Sequence, residues 1–189
     1  MKILTSIGLS TNGIMGVLKD INNSNRWKSA CIIVSAHIDG ALNKYAKLAK
    51  KQLKSIGVED VRYIDFYSQD LDLVKNFDLV YIAGGNTFRL LRSIKHHENG
   101  VGRLRELLSN KDIIGVSAGS IILTPTIRIA NEIEPDDYLE VDSFESLGLV
   151  SFEIYPHFEE KVSKEVSDYE KKYMTKIKKL TNDEYLLIE

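Results

Sequence analysis

The sequence predicts an α/β fold of three layers, with a doubly wound, mostly parallel sheet between helices. Three observations predict it. Short β-type runs alternate with helical patterns along the chain. Two of those runs, residues 30–36 and 79–83, are almost continuously apolar, which marks strands covered on both faces. No Gly-, Ser- or Pro-rich linker, repeat or low-complexity segment divides residues 1–189, so a single domain with a sizeable core is expected.

The elements follow in order. Residues 2–9 read as the first strand and 12–22 as a helix. The apolar run 30–36 leads into 40–55, where Leu42, Tyr45, Ala46, Ala49 and Leu53 fall at helical spacing with lysines between them. Strands at 61–65 and 79–83 precede helices at 87–94 and 101–109. A strand at 113–116 enters a short helix from residue 120. A strand at 149–155, a helix over 159–180 and a strand at 185–188 complete the pattern. The Lys-rich stretch near 171–179 reads as the solvated face of that last helix. Between residues 124 and 147 the chain is irregular. That segment holds two of the three prolines and the acidic cluster Glu132, Glu134, Asp136, Asp137, Glu140 and Asp142.

Composition narrows the function classes. The chain is 43% hydrophobic and 28% charged, with a net charge of −2 and no Lys/Arg stripe. These are the proportions of a soluble globular protein, and they argue against a nucleic-acid partner. No apolar stretch approaches a membrane span, and the first residues are too short an apolar run for a signal peptide. The one cysteine, Cys31, sits in the apolar run of the second strand and reads as a buried small hydrophobe. A reducing, cytoplasmic setting is expected. So is a monomer or a weak homodimer.

The chemistry centres on Gly115-Val116-Ser117-Ala118-Gly119, a Gly-x-Ser-x-Gly pattern between two apolar runs. This is the pattern of a nucleophile elbow, where a sharp strand-to-helix turn lifts one hydroxyl clear of the sheet. Ser117 is the candidate nucleophile. A serine hydroxyl needs a base within reach, and the chain has four histidines. His157 ends the strand at 149–155 and His37 follows the second strand; both positions suit an active site at the C-terminal ends of parallel strands. His96 and His97 lie in a charged stretch and read as solvent-exposed. For the third group, Glu132 lies between Ser117 and His157 in the chain, and sequence position does not separate it from Glu134, Asp136 or Asp137. An oxyanion hole needs two converging N–H donors. Ala118 N–H follows the nucleophile, and the Ala83-Gly84-Gly85-Asn86-Thr87-Phe88 turn suits the second, because glycines let backbone approach a ligand. Gly84 and Asn86 are candidate substrate-binding residues, with Asn86 or Thr87 also able to cap the next helix. No nucleotide-binding glycine motif and no metal-ligand spacing is present, so neither a cofactor nor a metal is expected.

Four ordered pieces carry a resemblance: Ala-Gly-Gly-Asn-Thr-Phe-Arg-Leu-Leu (83–91), Gly-Val-Ser-Ala-Gly-Ser (115–120), Pro-Thr-Ile-Arg (125–128) and Pro-His-Phe (156–158). Together they resemble the S51 serine peptidases, which include the aspartyl dipeptidases called peptidase E and, more distantly, the cyanophycinases. The resemblance implies a class I glutamine amidotransferase-like fold with a flavodoxin-like core. It implies Ser117 as nucleophile, His157 as base, and Gly85 with Ala118 as the oxyanion hole. Where the family carries the aspartate of its triad this chain has Glu132, which implies a Ser-His-Glu triad acting on short peptides, dipeptides above all. The family's arginine for an aspartyl substrate has no counterpart, since no arginine follows Arg128. A preference for Asp-X dipeptides is therefore not expected. The alternatives are a serine esterase or amidase on a small non-peptide substrate, or a binding protein that has lost turnover.

Overall fold

A computed structural model describes residues 1–133 and 139–189. The candidate acids Glu134, Asp136 and Asp137 lie outside the described residues. In chain order the elements are β1 (Lys2–Thr5), α1 (Ile14–Asn22), β2 (Ser29–Ile33), α2 (Lys44–Ser55), β3 (Asp60–Ile64), β4 (Leu79–Ile82), α3 (Thr87–Lys95), α4 (Gly100–Leu108), β5 (Asp112–Val116), α5 (Ala118–Ile121), α6 (Ile129–Glu132), β6 (Glu153–Pro156), α7 (Ser163–Tyr173), β7 (Ile177–Leu180) and β8 (Tyr185–Ile188).

The main sheet has the order β3-β2-β4-β5-β1-β8. Its first five strands are parallel, and β8 runs antiparallel along the free edge of β1. Alternate side chains feed two cores, as the two-residue period of a strand requires. Ile3, Ala30, Ile32, Leu79, Tyr81 and Ile114 face α1 and α2 on one side. Leu4, Cys31, Ile33, Val80, Ile82 and Ile113 face α3, α4 and α7 on the other. The adjacent strands β2 and β4 therefore send their following helices to opposite faces. A crevice opens between their C-terminal ends, the place where open α/β sheets bind ligands.

A two-stranded parallel sheet, β6 with β7, stands apart from the main sheet. Here the structure departs from the sequence reading. The helix expected over 159–180 ends at Tyr173, where Met174 turns left-handed at φ 50°. Residues 177–180 form β7 instead. Ile177 and Leu180 are buried and Lys178 and Lys179 exposed, a spacing of three that imitates a helix face. The two lysines lie over the rings of Phe152 and Phe158, 5.9 and 4.8 Å from their centroids. The strand expected from 149 begins only at Glu153, because the N–H groups of residues 147–150 are taken by the carbonyls of Ile122, Leu123 and Thr124. The helix expected from residue 40 begins at Lys44, with Asn43 Oδ1 accepting from the N–H groups of Tyr45 and Ala46. Among the described residues no helix is long and apolar enough to cross a membrane.

One polar cluster holds the N-terminal ends of the central strands. Asp112 opens β5 and receives Trp27 Nε1–H at 2.7 Å, Arg26 Nη2–H at 2.9 Å and the Met1 ammonium at 3.1 Å. Burial pushes its carboxyl up, but the hydrogen bonds from Arg26, Trp27 and the N-terminus outweigh burial and hold it at about 2. A depressed carboxylate pKa contributes stability that is present above the unfolded value and lost as pH falls through the folded value. Asp112→Asn is expected to cost on the order of 2 kcal/mol near neutrality. Denaturant titrations should show that difference shrinking as the pH is lowered from about 4 toward 2. A difference that persists at pH 2 would assign the effect to packing instead.

Candidate active site

Ser117 stands at the turn from β5 to α5 with φ 50° and ψ −114°, a region that non-glycine residues rarely enter. The flanking glycines permit the turn. A Cβ on Gly115 would lie 2.5 Å from the Gly119 carbonyl oxygen, and one on Gly119 would overlap the Ile82 carbonyl of β4. Ser117 N–H donates to the Thr5 carbonyl at 2.9 Å. Ser120 fastens the turn from below: its fully buried hydroxyl accepts Thr5 N–H at 3.1 Å and lies 2.9 and 2.8 Å from the carbonyls of Thr5 and Gly115.

His157 follows β6 and is also left-handed, at φ 57°. Its Nε2 lies 2.9 Å from Ser117 Oγ. Its Nδ1 lies 2.8 Å from Asn182 Oδ1, in the turn between β7 and β8. With the amide oxygen accepting, the ring carries its proton on Nδ1, and the lone pair of Nε2 faces the serine. The turn that presents Asn182 is closed by Glu184, whose Oε2 accepts the N–H of Thr181 at 3.0 Å and its hydroxyl at 2.7 Å. Those two bonds hold the Glu184 carboxyl below its ordinary range.

The structure does not bring Glu132 to the histidine, and the Ser-His-Glu expectation is corrected on this point. Glu132 ends α6, and its carboxylate accepts Lys172 Nζ–H and Tyr173 O–H from α7, both at 2.7 Å. These two partners lower its pKa. The Pro-Thr-Ile-Arg piece serves the same joint. Thr126 and Tyr169 donate to the buried carboxylate of Glu153 at 2.9 and 2.6 Å, and the Arg128 guanidinium lies 4.6 Å from the Tyr173 ring centroid. Burial first, then Glu153, raises the Tyr169 phenol well above its ordinary value.

Gly84 and Gly85 line the crevice. Gly85 has φ 139°, and a Cβ there would lie 2.6 Å from the Ala36 carbonyl oxygen; a Cβ on Gly84 would lie 3.1 Å from Ser117 Cβ. Asn86 N–H donates to that Ala36 carbonyl, and Asn86 Oδ1 accepts Arg89 N–H at 2.7 Å and caps α3. Ala118 N–H belongs to the first turn of α5, where an N–H has no intrahelical acceptor. Two hollows meet at this point. A cleft of about 440 Å³ and a smaller one of about 130 Å³ share Gly85, Ser117 and His157 in their walls. His37 lines the large cleft, with Nδ1 accepting Asp39 N–H at 3.2 Å, and takes no part with Ser117. His97, read as exposed, is half-buried with Nε2 at 2.9 Å from the Phe66 carbonyl. Among the described residues no group of three His, Cys, Asp or Glu could hold a metal.

Two site residues escaped the sequence. Asn182 carries no motif of its own. Ser6 lies just past β1; it accepts His157 N–H at 2.9 Å and donates its own proton to the Leu180 carbonyl at 2.9 Å. Ser6→Ala is expected to lower kcat at least about tenfold while KM changes less, because the histidine backbone loses its reference to β1. Ser6→Thr should restore part of the loss. An unchanged kcat in a folded Ser6→Ala protein would remove Ser6 from this role.

A model for peptidase family S51 matches residues 3–189. The chain is 28% identical over 190 residues to the uncharacterized peptidase Lin0382 of Listeria innocua, covering 95% of this chain and 89% of that protein. It is 33% identical over 132 residues to peptidase E of Nostoc sp. PCC 7120, covering 69% of this chain and 52% of that longer protein. It superposes with a TM-score of 0.75 and 26% identity on the crystal structure of a protein provisionally named peptidase E from Listeria monocytogenes EGD-e, covering 99% of this chain and 93% of that one.

Proposed function

The chain belongs to peptidase family S51, a family of serine hydrolases with a class I glutamine amidotransferase-like fold, and from that premise we propose that it hydrolyses short peptides, dipeptides above all, with Ser117 as nucleophile, His157 as base and Asn182 as the group that orients the base. The observation that carries this reading is the 2.9 Å contact between Ser117 Oγ and His157 Nε2, with the serine held in left-handed backbone at the junction of two hollows.

The steps follow from the placement. Ser117 Oγ attacks the scissile carbonyl carbon while its proton passes to His157 Nε2. The new C–O bond places negative charge on the carbonyl oxygen, toward the N–H groups of Ala118 and Gly85. The intermediate collapses, the C–N bond breaks, and His157 gives its proton to the leaving nitrogen. Water then repeats the sequence on the acyl ester: its proton goes to Nε2, its oxygen bonds to carbon, and Ser117 Oγ leaves with the proton returned. Throughout, Asn182 Oδ1 holds Nδ1–H. It fixes the tautomer as a carboxylate would, without supplying a countercharge to the imidazolium.

Four variants test the assignment. Ser117→Ala is expected to fold and to lose at least about 10³-fold in kcat on a cleaved dipeptide, together with all covalent labelling by a fluorophosphonate. Asn182→Ala should lose about 10²-fold or more through the freed tautomer, and Asn182→Asp should retain or exceed the parent rate. Glu132→Gln should stay within a few-fold of the parent while weakening the joint of α6 to α7. Turnover that survives Asn182→Ala but not Glu132→Gln would return the orienting role to Glu132. Ester cleavage with no peptide cleavage across a dipeptide panel would make the enzyme an esterase.

A further inference from the structure

We propose that the large cleft beside Ser117 is a side-chain subsite that selects a bulky uncharged residue of the substrate, aromatic before aliphatic. The proposal rests on the hydrolase reading of Ser117 and names what that site accepts.

Size separates the two hollows first. The larger, about 440 Å³, lies within the range of small-molecule sites, whereas the smaller, about 130 Å³, takes a compact group. The wall chemistry is the second observation. The large cleft lies between the C-terminal ends of β2, β4 and β5 and the start of α2, and none of its described lining residues is Asp, Glu, Lys or Arg. Val34, Ala46 and Val116 form its apolar floor. At the mouth, Ile7, Tyr45 and Leu48 stay 39%, 67% and 43% exposed beside Ser117, with a cation, Lys44 Nζ, 4.9 Å from the Tyr45 ring centroid. An aromatic side chain entering the cleft would cover floor and mouth together and remove both from solvent.

Tyr81 supplies the third observation. It rises from β4 into the floor and is 5% exposed, yet its hydroxyl has no hydrogen-bond partner among the described residues. The phenol fits because Gly8 has no Cβ; one there would lie 2.6 Å from the hydroxyl oxygen. Burial raises this phenol above its ordinary value, so it faces the cleft as a neutral O–H able to donate and accept. A poorly served hydroxyl on an apolar floor suits a ligand with a polar tip, and among aromatic side chains tyrosine has one.

Charged residues fare badly in the same cleft. A carboxylate drawn into it would leave water with no cation in the wall, which is strongly disfavoured. Neither arginine of the motifs lines the cleft: the Arg89 guanidinium lies 4.5 Å from the Tyr67 ring centroid, with its buried Nε unpartnered among the described residues, and that of Arg128 lies 4.6 Å from Tyr173. His37 and His157 are the imidazoles in the wall, and His157 is committed to Ser117 and Asn182.

The test is a set of paired dipeptides, X-Ala and Ala-X, with X as Tyr, Phe, Leu, Ala, Asp or Lys, read as kcat/KM. At one of the two positions Tyr and Phe should exceed Ala by at least about tenfold and Asp by at least about a hundredfold. Leu48→Asp, at a half-exposed position that tolerates charge, should cut the Phe-to-Ala ratio at that position at least about fivefold. Tyr81→Phe should lower the Tyr-to-Phe ratio. A flat profile at both positions, a preference for Asp or Lys, or ratios indifferent to both variants would overturn the subsite. Labelling separates this outcome from failure of the peptidase reading. Parent Ser117 should react at least about tenfold faster with a phenylalkyl than with a methyl fluorophosphonate, and Leu48→Asp should narrow the gap. That result with no dipeptide cleaved would keep the subsite and reject the peptidase; equal labelling rates would reject the subsite.

Discussion

The Ser6 hydroxyl is the joint on which the site depends. It receives His157 N–H and donates to the Leu180 carbonyl, tying the two-stranded β6–β7 unit to the end of β1. One residue earlier, the Thr5 carbonyl receives Ser117 N–H, and Ser120 braces the same backbone. Ser117 and His157 lie 40 residues apart in the chain. Both are positioned from two consecutive residues, Thr5 at the end of β1 and Ser6 just past it. Any shift of β1 therefore carries serine and histidine together, and their separation is set by short hydrogen bonds rather than by the reach of a loop. The edge strand β8 extends this logic: it pairs with β1 and closes the turn that presents Asn182.

Holding both residues this way carries a conformational cost. Ser117 and His157 each occupy left-handed backbone, which for non-glycine residues costs of order 1–3 kcal/mol. Such geometry persists only where the surroundings over-determine it. At Ser117 the constraints are Gly115, Gly119 and the buried Ser120 hydroxyl. At His157 they are Ser6 on one side and the Phe158 N–H bond to the Leu180 carbonyl on the other, at 3.0 Å. The sheet topology adds the opening. Because α2 and α3 leave neighbouring strands toward opposite faces, the ends of β2 and β4 part beside Ser117, and Gly84 and Gly85 keep that crevice free of side chains.

Much of this was legible in the sequence, and the misses share a physical cause. The parallel sheet could be read because β2 and β4 are buried on both faces and so show nearly unbroken apolar runs. Ser117 and Gly84–Gly85 could be read because sharp turns at strand ends demand particular residue types. Strand-end position alone kept both His157 and His37; the Pro-His-Phe resemblance pointed to His157, and the structure puts that ring against Ser117. The β7 strand was hidden by Ile177 and Leu180, whose spacing fits a helix, with lysines between them that solvate either structure. Glu132 drew the orienting role from the resemblance, since chain order did not separate it from its acidic neighbours, yet Lys172 and Tyr173, from an element much later in the chain, claim its carboxylate. Asn182 and Ser6 are small polar residues of the kind found in any loop. What gives them meaning is a contact between distant segments, which no local pattern encodes.

The neutral oxygen on the far side of His157 fits the rest of the site's electrostatics. A carboxylate beside an imidazole does two things: it selects a tautomer and it stabilises the imidazolium. Asn182 does the first alone. The second need is smaller where water reaches the ring, and His157 is exposed while Ser117 is only partly buried. Solvent takes up part of the charge that a buried aspartate would otherwise neutralise, so an amide suffices for the ring's orientation. Glu184 then acts one step removed, holding by its two bonds to Thr181 the turn that aims the amide oxygen. The described walls of both hollows likewise lack acidic and basic side chains apart from histidine. On the proposed function, such walls favour discrimination by shape and by desolvation over ion pairing, and Ser117 and His157 are positioned by neutral hydrogen bonds to Thr5, Ser6 and Asn182.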